Sequence, residues 1–217
     1  MGLSYKKTKH LPGKMPSQAV QKDCIKEIKK LVKEAKKSKG KSIVLSADPT
    51  HPTHNSVPGH LWQEKSKDKT QTIRANTGRK RVTVMGAIDL ASHEIVPFVT
   101  QSNADKESLK VYLTEIKKAY PKADKITLII DNAPYQKSYE VQEYAKEIGI
   151  TLYYLPSYAP NLSLIERVWK FFKKTVLRNT YYESFNLFFE AVCDFFKNWD
   201  QYREQIKSLV TLNFEIL

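Results

Sequence analysis

A short apolar run that ends in a carboxylate constrains the fold of this chain more than any other feature. Residues Ile126–Ile130 are apolar and mainly β-branched, and Asp131, Asn132 and then Pro134 follow them closely. Such a run, closed by Asn and Pro, predicts a buried strand with a carboxylate at its C-terminal end. After a helical stretch, the chain predicts a second strand over 150–155 and then the loop LPSYAPNLS.

Three acidic residues lie where a predicted strand ends or a predicted helix begins. Asp48 follows the earlier apolar run Ser42–Ala47, and Asp131 follows the run described above. Glu166 lies in the first turn of the helix predicted after the loop, and 34 residues separate it from Asp131. Two strand-end carboxylates and one helix-start carboxylate are the ligands that a two-metal phosphodiester site requires.

Four segments, in order, resemble the catalytic domain of the bacterial insertion-sequence branch of mariner-type transposases, in the Tc/mariner superfamily. They are LSADPTHP, GRKRVTVMGAID, LIIDNAP and LPSYAPNLSLIERVWKFFKK, within roughly residues 41–180. The resemblance implies a ribonuclease-H-like fold and a catalytic Asp-Asp-Glu (DDE) triad, for which a spacing of 34 between the last two acids is characteristic. It therefore assigns Asp48, Asp131 and Glu166 as catalytic residues and metal ligands.

The resemblance also implies a mechanism. In that fold the first and fourth strands are neighbours, so Asp48 and Asp131 would lie side by side, with Glu166 arriving across the sheet edge. Carboxylates this close raise one another's pKa unless cations bind between them. Two Mg²⁺ ions about 4 Å apart, or Mn²⁺ as a substitute, would stabilise the attacking and leaving oxygens. The expected reaction is cleavage of double-stranded DNA at a transposon end, followed by transfer of the freed strand into target DNA.

Two other functions stay open at this point. A ribonuclease-H-like nuclease acting on RNA–DNA hybrids would use the same carboxylates, although the LPSYAPNLSLIERVWK segment argues against it. A catalytically inactive remnant that binds DNA is the second, and the intact triad argues against it. The resembled family carries a helix-turn-helix region before its basic linker. Because no such region is seen before the linker in this sequence, we expect a catalytic fragment or a truncated reading frame. Gln136 lies near a position where that family often has histidine, which leaves an accessory role there open.

The order of predicted elements indicates an α/β fold, with a mixed five-stranded sheet flanked by helices. A meander of three strands, including 79–89 and 94–100, is followed by a helix and two strands alternating with helices, one of them over 136–147. We expect three parts: a basic arm and helix (1–40), the catalytic domain (41–180) and a C-terminal helical extension (181–217). Core packing is the first interpretation of the apolar extension, and a homodimer contact is the alternative.

Charge predicts a polyanionic partner. The net charge is +13, and residues 1–40 hold twelve lysines and three acids. Neutralising phosphates releases counterions, so a basic arm on a mildly basic body suits DNA, although a solvated lysine-rich helix is the plain alternative. The expected DNA-binding residues are Lys6, Lys7, Lys9, Lys14, Arg79, Lys80, Arg81, Lys170, Lys173 and Lys174.

Several conspicuous residues are given structural roles. We interpret His51 and His54 as loop histidines near the DNA path, because no cysteine or acid cluster completes a zinc set around them. Trp62 is expected to cover the edge of the core, with base stacking as the alternative. Asp89 and Asp105 are rival carboxylates, and we interpret them as a turn residue and a helix cap.

Cysteine usage and hydropathy indicate a cytoplasmic protein. Cys24 and Cys193 lie far apart and form no CxxC motif, which favours reduced thiols over a disulfide or a zinc site. The most apolar stretch, FNLFFEAVCDFF, contains Glu190 and Asp194, and no run approaches the roughly 18 residues of a membrane span. With DNA as the partner, we expect a protein associated with the bacterial nucleoid and not with a membrane.

Overall fold

A mixed five-stranded sheet organises the molecule. The computed structural model describes residues 13–65 and 71–217, so Lys6, Lys7 and Lys9 lie outside the described residues. The strands are β1 (Ser42–Thr50), β2 (Thr83–Asp89), β3 (Ile95–Thr100), β4 (Lys125–Ile130) and β5 (Ile150–Tyr154). Their order is β3-β2-β1-β4-β5, antiparallel from β1 to β3 and parallel from β1 through β4 to β5. The predicted meander, and the pairing of the first strand with the fourth, are both confirmed.

Helices cover the two faces of the sheet. They are α1 (Gln18–Lys37), α2 (Lys106–Ala119), α3 (Tyr139–Glu147), α4 (Ile165–Val176), α5 (Phe185–Lys197) and α6 (Arg203–Leu209), with 3-10 turns at Pro160–Leu162 and Trp199–Tyr202. Side chains cap several of these helices: Ser17 caps α1, and Asp105 caps α2, as predicted. Within the described ranges, no helix has both the length and the apolar character needed to cross a bilayer.

Two hydrophobic cores lie on opposite faces of the sheet, because successive side chains of a strand point to opposite sides. Val44 of β1 belongs to a core shared with α1, α4, α5 and α6, whereas Leu45 belongs to one shared with α2 and α3. Trp169 and Phe172 of α4 are fully buried in the first core. The helices before and after the sheet therefore share a core with it, and the three-part domain division stays a prediction.

Two strand boundaries differ from the predicted ones. β1 does not end at Asp48 but continues to Thr50, because its antiparallel pairing with β2 extends from Leu45 as far as Thr50. β2 begins at Thr83 and not at Arg79, since the basic residues before it make only an isolated bridge from Arg81 to Thr53. Asp48 therefore lies inside β1, although beyond the part of β1 that pairs with β4.

Two further expectations were wrong in detail. α3 begins at Tyr139 instead of Gln136, because the Ser138 hydroxyl caps it and the residues before it form turns. Trp62 is fully exposed and covers no part of the core.

The segment that connects β1 to β2 is tied to the far end of α4. The Val57 N–H donates to the Leu177 carbonyl at 3.0 Å, and the Asn179 N–H donates back to the Val57 carbonyl at 3.0 Å. The Gly59 N–H donates to the Asn179 side-chain oxygen at 2.8 Å, and Arg178 donates to the His60 carbonyl at 3.2 Å. This segment is therefore fixed to the residues that directly follow the helix that carries Glu166.

Candidate active site

The parallel register of β1 and β4 brings two carboxylates together. Ser46 of β1 is paired with Ile129 of β4, so two residues further along each strand lie Asp48 and Asp131. Side chains two residues apart on a strand point to the same face. Both aspartates therefore follow residues that face α4. The structure places Asp48 and Asp131 side by side, as the sequence predicted.

Two close contacts seat α4 on the sheet beside these aspartates. The Ile165 N–H donates to the buried Ser46 hydroxyl at 3.3 Å, which fixes the start of the helix to β1. One turn later the Trp169 indole lies over Gly86, the residue of β2 that is paired with Asp48. A Cβ on Gly86 would lie 2.3 Å from Cη2 of that indole, so only glycine permits this approach. Glu166 lies between the two contacts and is thereby held next to Asp48.

All three predicted carboxylates line one open cleft of about 500 Å³. Its other walls are residues 132–134, which follow β4, and residues 155–160, which precede α4, together with Ser163. The Asn132 side-chain amide donates to the Leu155 carbonyl and joins the two walls. The cleft is thus formed by the loop that follows Asp131 and the loop that precedes Glu166.

Electrostatic repulsion in this cleft is concentrated on Asp48. Burial raises its pKa to about 8, and the charges of Glu166 and then of Asp131 act in the same direction. A hydrogen bond between the Asp48 and Glu166 carboxyl groups also raises the pKa, and only the nearby Lys173 opposes it. These effects favour the protonated form of the Asp48 carboxyl group when no cation is bound. No ion pair within the described part of the chain joins Glu166 to Lys170, the surface arrangement that a helical glutamate would otherwise favour.

The chemistry of the donor set fits a hard divalent cation. In residues 13–65 and 71–217, no three His, Cys, Asp or Glu side chains are arranged so that they could hold a metal ion by themselves. Mg²⁺ does not require such a cage, because it binds through one or two carboxylates and keeps several water and phosphate oxygens. An open cleft with three carboxylate side chains and space for a phosphodiester meets that need.

The two loop histidines have protein partners. His54 Nε2 lies 2.9 Å from the Tyr182 carbonyl oxygen, and its ring is stacked on Phe188. His51 Nδ1 lies 3.2 Å from the Thr83 hydroxyl. Burial lowers the pKa of His51, and the positive charges of Arg81 and Lys173 lower it further. These contacts agree with the interpretation of both residues as loop histidines.

The predicted DNA-binding residues that the structure describes are all exposed: Lys14, Arg79, Lys80, Arg81, Lys170, Lys173 and Lys174. Lys173 lies close enough to Asp48 to lower the pKa of that carboxyl group, and both Lys173 and Arg81 act on His51. Arg79 and Lys80 instead line a separate open cavity, where the Lys80 ammonium lies 5.4 Å from the Phe185 ring centre. The structure therefore brings only part of the basic set to the cleft.

The sequence analysis missed the residues that support the carboxylates. Ser46 could have been found, because it precedes Asp48 by two residues and so shares its face. Gly86 and Arg167 gave no local signal. Arg167, next to Glu166, donates to the carbonyls of Leu209, Thr211 and Asn213 at 3.1, 2.8 and 2.6 Å. The rivals Asp89 and Asp105 have the structural roles predicted for them, a turn and a helix cap.

Comparisons with known proteins agree with this geometry. A sequence profile of the DDE superfamily endonucleases matches residues 43–188. The insertion element IS630 uncharacterized 39 kDa protein of Shigella sonnei is 38% identical over 68 residues, which are 31% of this chain and 20% of that protein. The match therefore covers only a fifth of that relative.

Solved structures with the same fold include a Mos1 strand transfer complex and a Mos1 transposase catalytic domain with Raltegravir and Mg. The first has a TM-score of 0.65 at 15% identity and covers 97% of this chain and 64% of that one. The second has a TM-score of 0.54 at 11% identity and covers 90% and 92%. These likenesses confirm the ribonuclease-H-like fold. The resemblance to mariner-type transposases is confirmed too, and, because the profile spans about two thirds of the sequence, the chain belongs to the DDE superfamily endonuclease family.

Proposed function

We propose that this chain is the catalytic domain of an insertion-sequence transposase, which cuts DNA at a transposon end and joins the freed strand to target DNA. The convergence of Asp48, Asp131 and Glu166 in one open cleft carries the proposal. Membership of the endonuclease family supports it. The matched Mos1 structures are a strand transfer complex and paired-end complexes, two of them with Mn and with Mg, and they point to the same chemistry.

The three carboxylates divide the work according to their positions. Both of the other acids act on Asp48, which would hold both of two Mg²⁺ ions, while Asp131 and Glu166 would each hold one. When bound, the ions neutralise the charge that develops on the attacking and leaving oxygens. Asp48 would lose its proton when it serves as a ligand, and the contacts of α4 with Ser46 and Gly86 hold Glu166 close enough to share the site.

Two displacements at phosphorus make up the reaction. In the first, the oxygen of water bonds to the phosphorus at the transposon end, the bond to the 3′ oxygen breaks, and that oxygen leaves as a hydroxyl. In the second, the freed 3′-hydroxyl attacks a target phosphodiester and a new hydroxyl leaves. The cleft opens to solvent and admits both nucleophiles, so the proposal requires no covalent protein–DNA intermediate.

Double-stranded DNA, as transposon ends and target, is the proposed partner. Lys170, Lys173 and Lys174 are exposed residues of α4, on the part of the helix that leads away from the cleft. They lie within about one helical turn, which is a rise of roughly 6 Å along the helix axis. They would contact backbone phosphates without reading sequence. Lys14 and the rest of the basic arm would extend that contact. A homodimer that holds two ends, and association with the nucleoid, belong to the same proposal.

Plasmid nicking tests the proposal. Wild-type protein with Mg²⁺ or Mn²⁺ is expected to nick supercoiled DNA, and Asp131→Asn or Glu166→Gln to lower the rate by more than about 100-fold, because each removes a metal ligand. Glu143→Gln, on α3 at the other face of the sheet, is the matched control and should leave the rate unchanged.

The alternatives give different results in the same assay. Near-normal rates in either cleft variant would refute the triad. A folded wild type that nicks nothing, but binds DNA with a steep salt dependence, would identify an inactive DNA-binding remnant. Faster cleavage of an RNA–DNA hybrid than of duplex DNA would identify a hybrid nuclease.

A further inference from the structure

A strained tyrosine lies at the mouth of the cleft. Tyr158 has a φ of +61°, in the left-handed region that bulky residues avoid because the Cβ crowds the backbone. Its side chain is 57% exposed and lines the cleft together with the three carboxylates. Backbone strain of this kind persists only where the surroundings impose it, and it concentrates at functional sites.

The flanking residues impose that conformation. Leu155 and Ala159 are buried on either side of Tyr158, at 3% and 5% exposure. The Leu155 N–H donates to the Ile130 carbonyl at 2.8 Å, and the Asn132 side-chain amide donates to the Leu155 carbonyl. Beyond Ala159, Leu162 is buried at the end of a 3-10 turn. With both ends of the loop fixed, the left-handed residue turns its ring outward to the cleft instead of the core.

The wall around this ring suits a nucleobase and not a phosphate. Its chain neighbours in the cleft are Pro156, Ser157, Ala159 and Pro160; none of them carries a charge, and the Ser157 hydroxyl is the one side-chain hydrogen-bond donor among these four. A phosphodiester held at the carboxylates places the adjoining bases within the same cleft. An exposed aromatic face binds any base by stacking, whichever base it is. A paired base inside a duplex offers no free face, so the fitting occupant is an unpaired one.

We propose that Tyr158 is a substrate-binding residue that stacks on an unpaired nucleobase next to the scissile phosphate. This inference rests on the proposed function, since it takes DNA as the substrate of the cleft. It adds a preference that the carboxylates do not supply. DNA that is frayed or unpaired beside the cut is bound better than DNA that stays paired there.

Two substitutions separate the ring from the backbone. Tyr158→Phe keeps the aromatic face. Tyr158→Asn removes it, while asparagine accepts the left-handed conformation better than most residues. We therefore expect Tyr158→Asn to fold at least as stably as wild type in a thermal melt. Tyr139→Asn, at a tyrosine that is 76% exposed outside the cleft, is the matched control.

The binding assay uses a short duplex with an unpaired 3′ overhang that contains 2-aminopurine, whose fluorescence falls on stacking. The protein carries Asp131→Asn, so that no cleavage occurs. Without further substitution, and with Tyr158→Phe or Tyr139→Asn, we expect fluorescence quenching by the protein. With Tyr158→Asn we expect no quenching and about tenfold weaker binding, and equal affinities once the overhang is abasic.

Equal quenching and equal affinity with and without Tyr158→Asn would overturn the stacking proposal. A loss of affinity that persists on abasic DNA would overturn it too, because the ring would then act on something other than a base. The proposed function fails separately, if wild-type protein shows no metal-dependent nicking. Fluorescence in the Asp131→Asn background still reports on Tyr158 in that case.

Discussion

Gly86 shows how one missing side chain can position an acidic side chain on another element. It is paired with Asp48 across the sheet, and the Trp169 indole fills the space where its Cβ would be. Trp169 lies on the same helix as Glu166, so the distance between Asp48 and Glu166 depends on how closely the indole approaches Gly86. Both residues lie in segments that carry the family resemblance, but neither is one of the three acids.

We predict that Gly86→Ala destabilises the fold by about 1–3 kcal/mol, the usual cost of overpacking a core, and lowers nicking activity at least about tenfold. Urea unfolding and plasmid nicking measure the two effects. Gly13→Ala, where an added Cβ meets nothing within 4 Å, is the control. A variant with wild-type stability would show that the indole moves aside freely.

The raised pKa of Asp48 predicts that the stability of the metal-free protein depends on pH. Its pKa of about 8 is far above the ordinary value of 3.8, so between these values the folded state holds a proton that the unfolded state has lost. The free energy of unfolding must therefore fall as pH rises across this window. We expect a fall on the order of 3 kcal/mol from pH 5 to pH 8, a smaller one in Asp48→Asn, and recovery of wild type with Mg²⁺. Chemical denaturation in EDTA at several pH values measures it, and a flat profile would contradict it.

At the scale of elements, α4 is held at three places. Ser46 holds its start, Trp169 its middle, and the β1–β2 segment its far end through Val57. Arg167 ties residues 209–214 to the same helix through three backbone carbonyls, and its guanidinium lies 5.9 Å from the ring centre of Phe214. The element that carries Glu166 is therefore braced from several distant parts of the chain.

We predict that Arg167→Lys lowers stability by about 1–3 kcal/mol, because a lysine cannot donate to three separated carbonyls at once. Hydrogen exchange should quicken in residues 209–217, with a smaller increase in α4. Arg203→Lys is the matched control, since that side chain makes only exposed ion pairs with Glu94 and Asp200. Unchanged exchange in the tail would contradict the bracing role.

The sequence predicted the cleft well because its signals are local. Apolar runs, turn residues and acid spacing placed Asp48, Asp131 and Glu166 on the correct elements. The supports escaped prediction because they join residues far apart in the chain, such as Ser46 with Ile165, or depend on an absent side chain. The prediction that Trp62 covers the edge of the core was wrong for a related reason. The local sequence around an aromatic residue in a loop does not indicate which way its side chain points.

At the scale of the whole molecule, exposed lysines lie on both faces of the sheet. Those of α4 lie beside the cleft, where they could contact a polyanion bound there. We predict that replacing Lys170, Lys173 and Lys174 by alanine makes log K for duplex DNA less steep in log salt, by about 0.9 for each phosphate that the protein no longer neutralises. Replacing Lys118, Lys122 and Lys146, on the side of α2 and α3, should leave the slope unchanged. Filter binding or anisotropy at several salt concentrations distinguishes the two sets. Equal slopes for both sets would rule out α4 as the DNA path.

The parallel pairing of β1 with β4 has a consequence for the protein while it is being made. Asp48 and Asp131 are 83 residues apart in the chain, and Glu166 comes later still. A nascent chain can form the local β1–β3 meander first, whereas closing the loop to β4 costs chain entropy and comes later. Until the ribosome has released α4, Asp48 lacks Glu166, the last of the three acids that line the cleft. Under the proposed function, the unfinished chain would therefore not yet cut DNA.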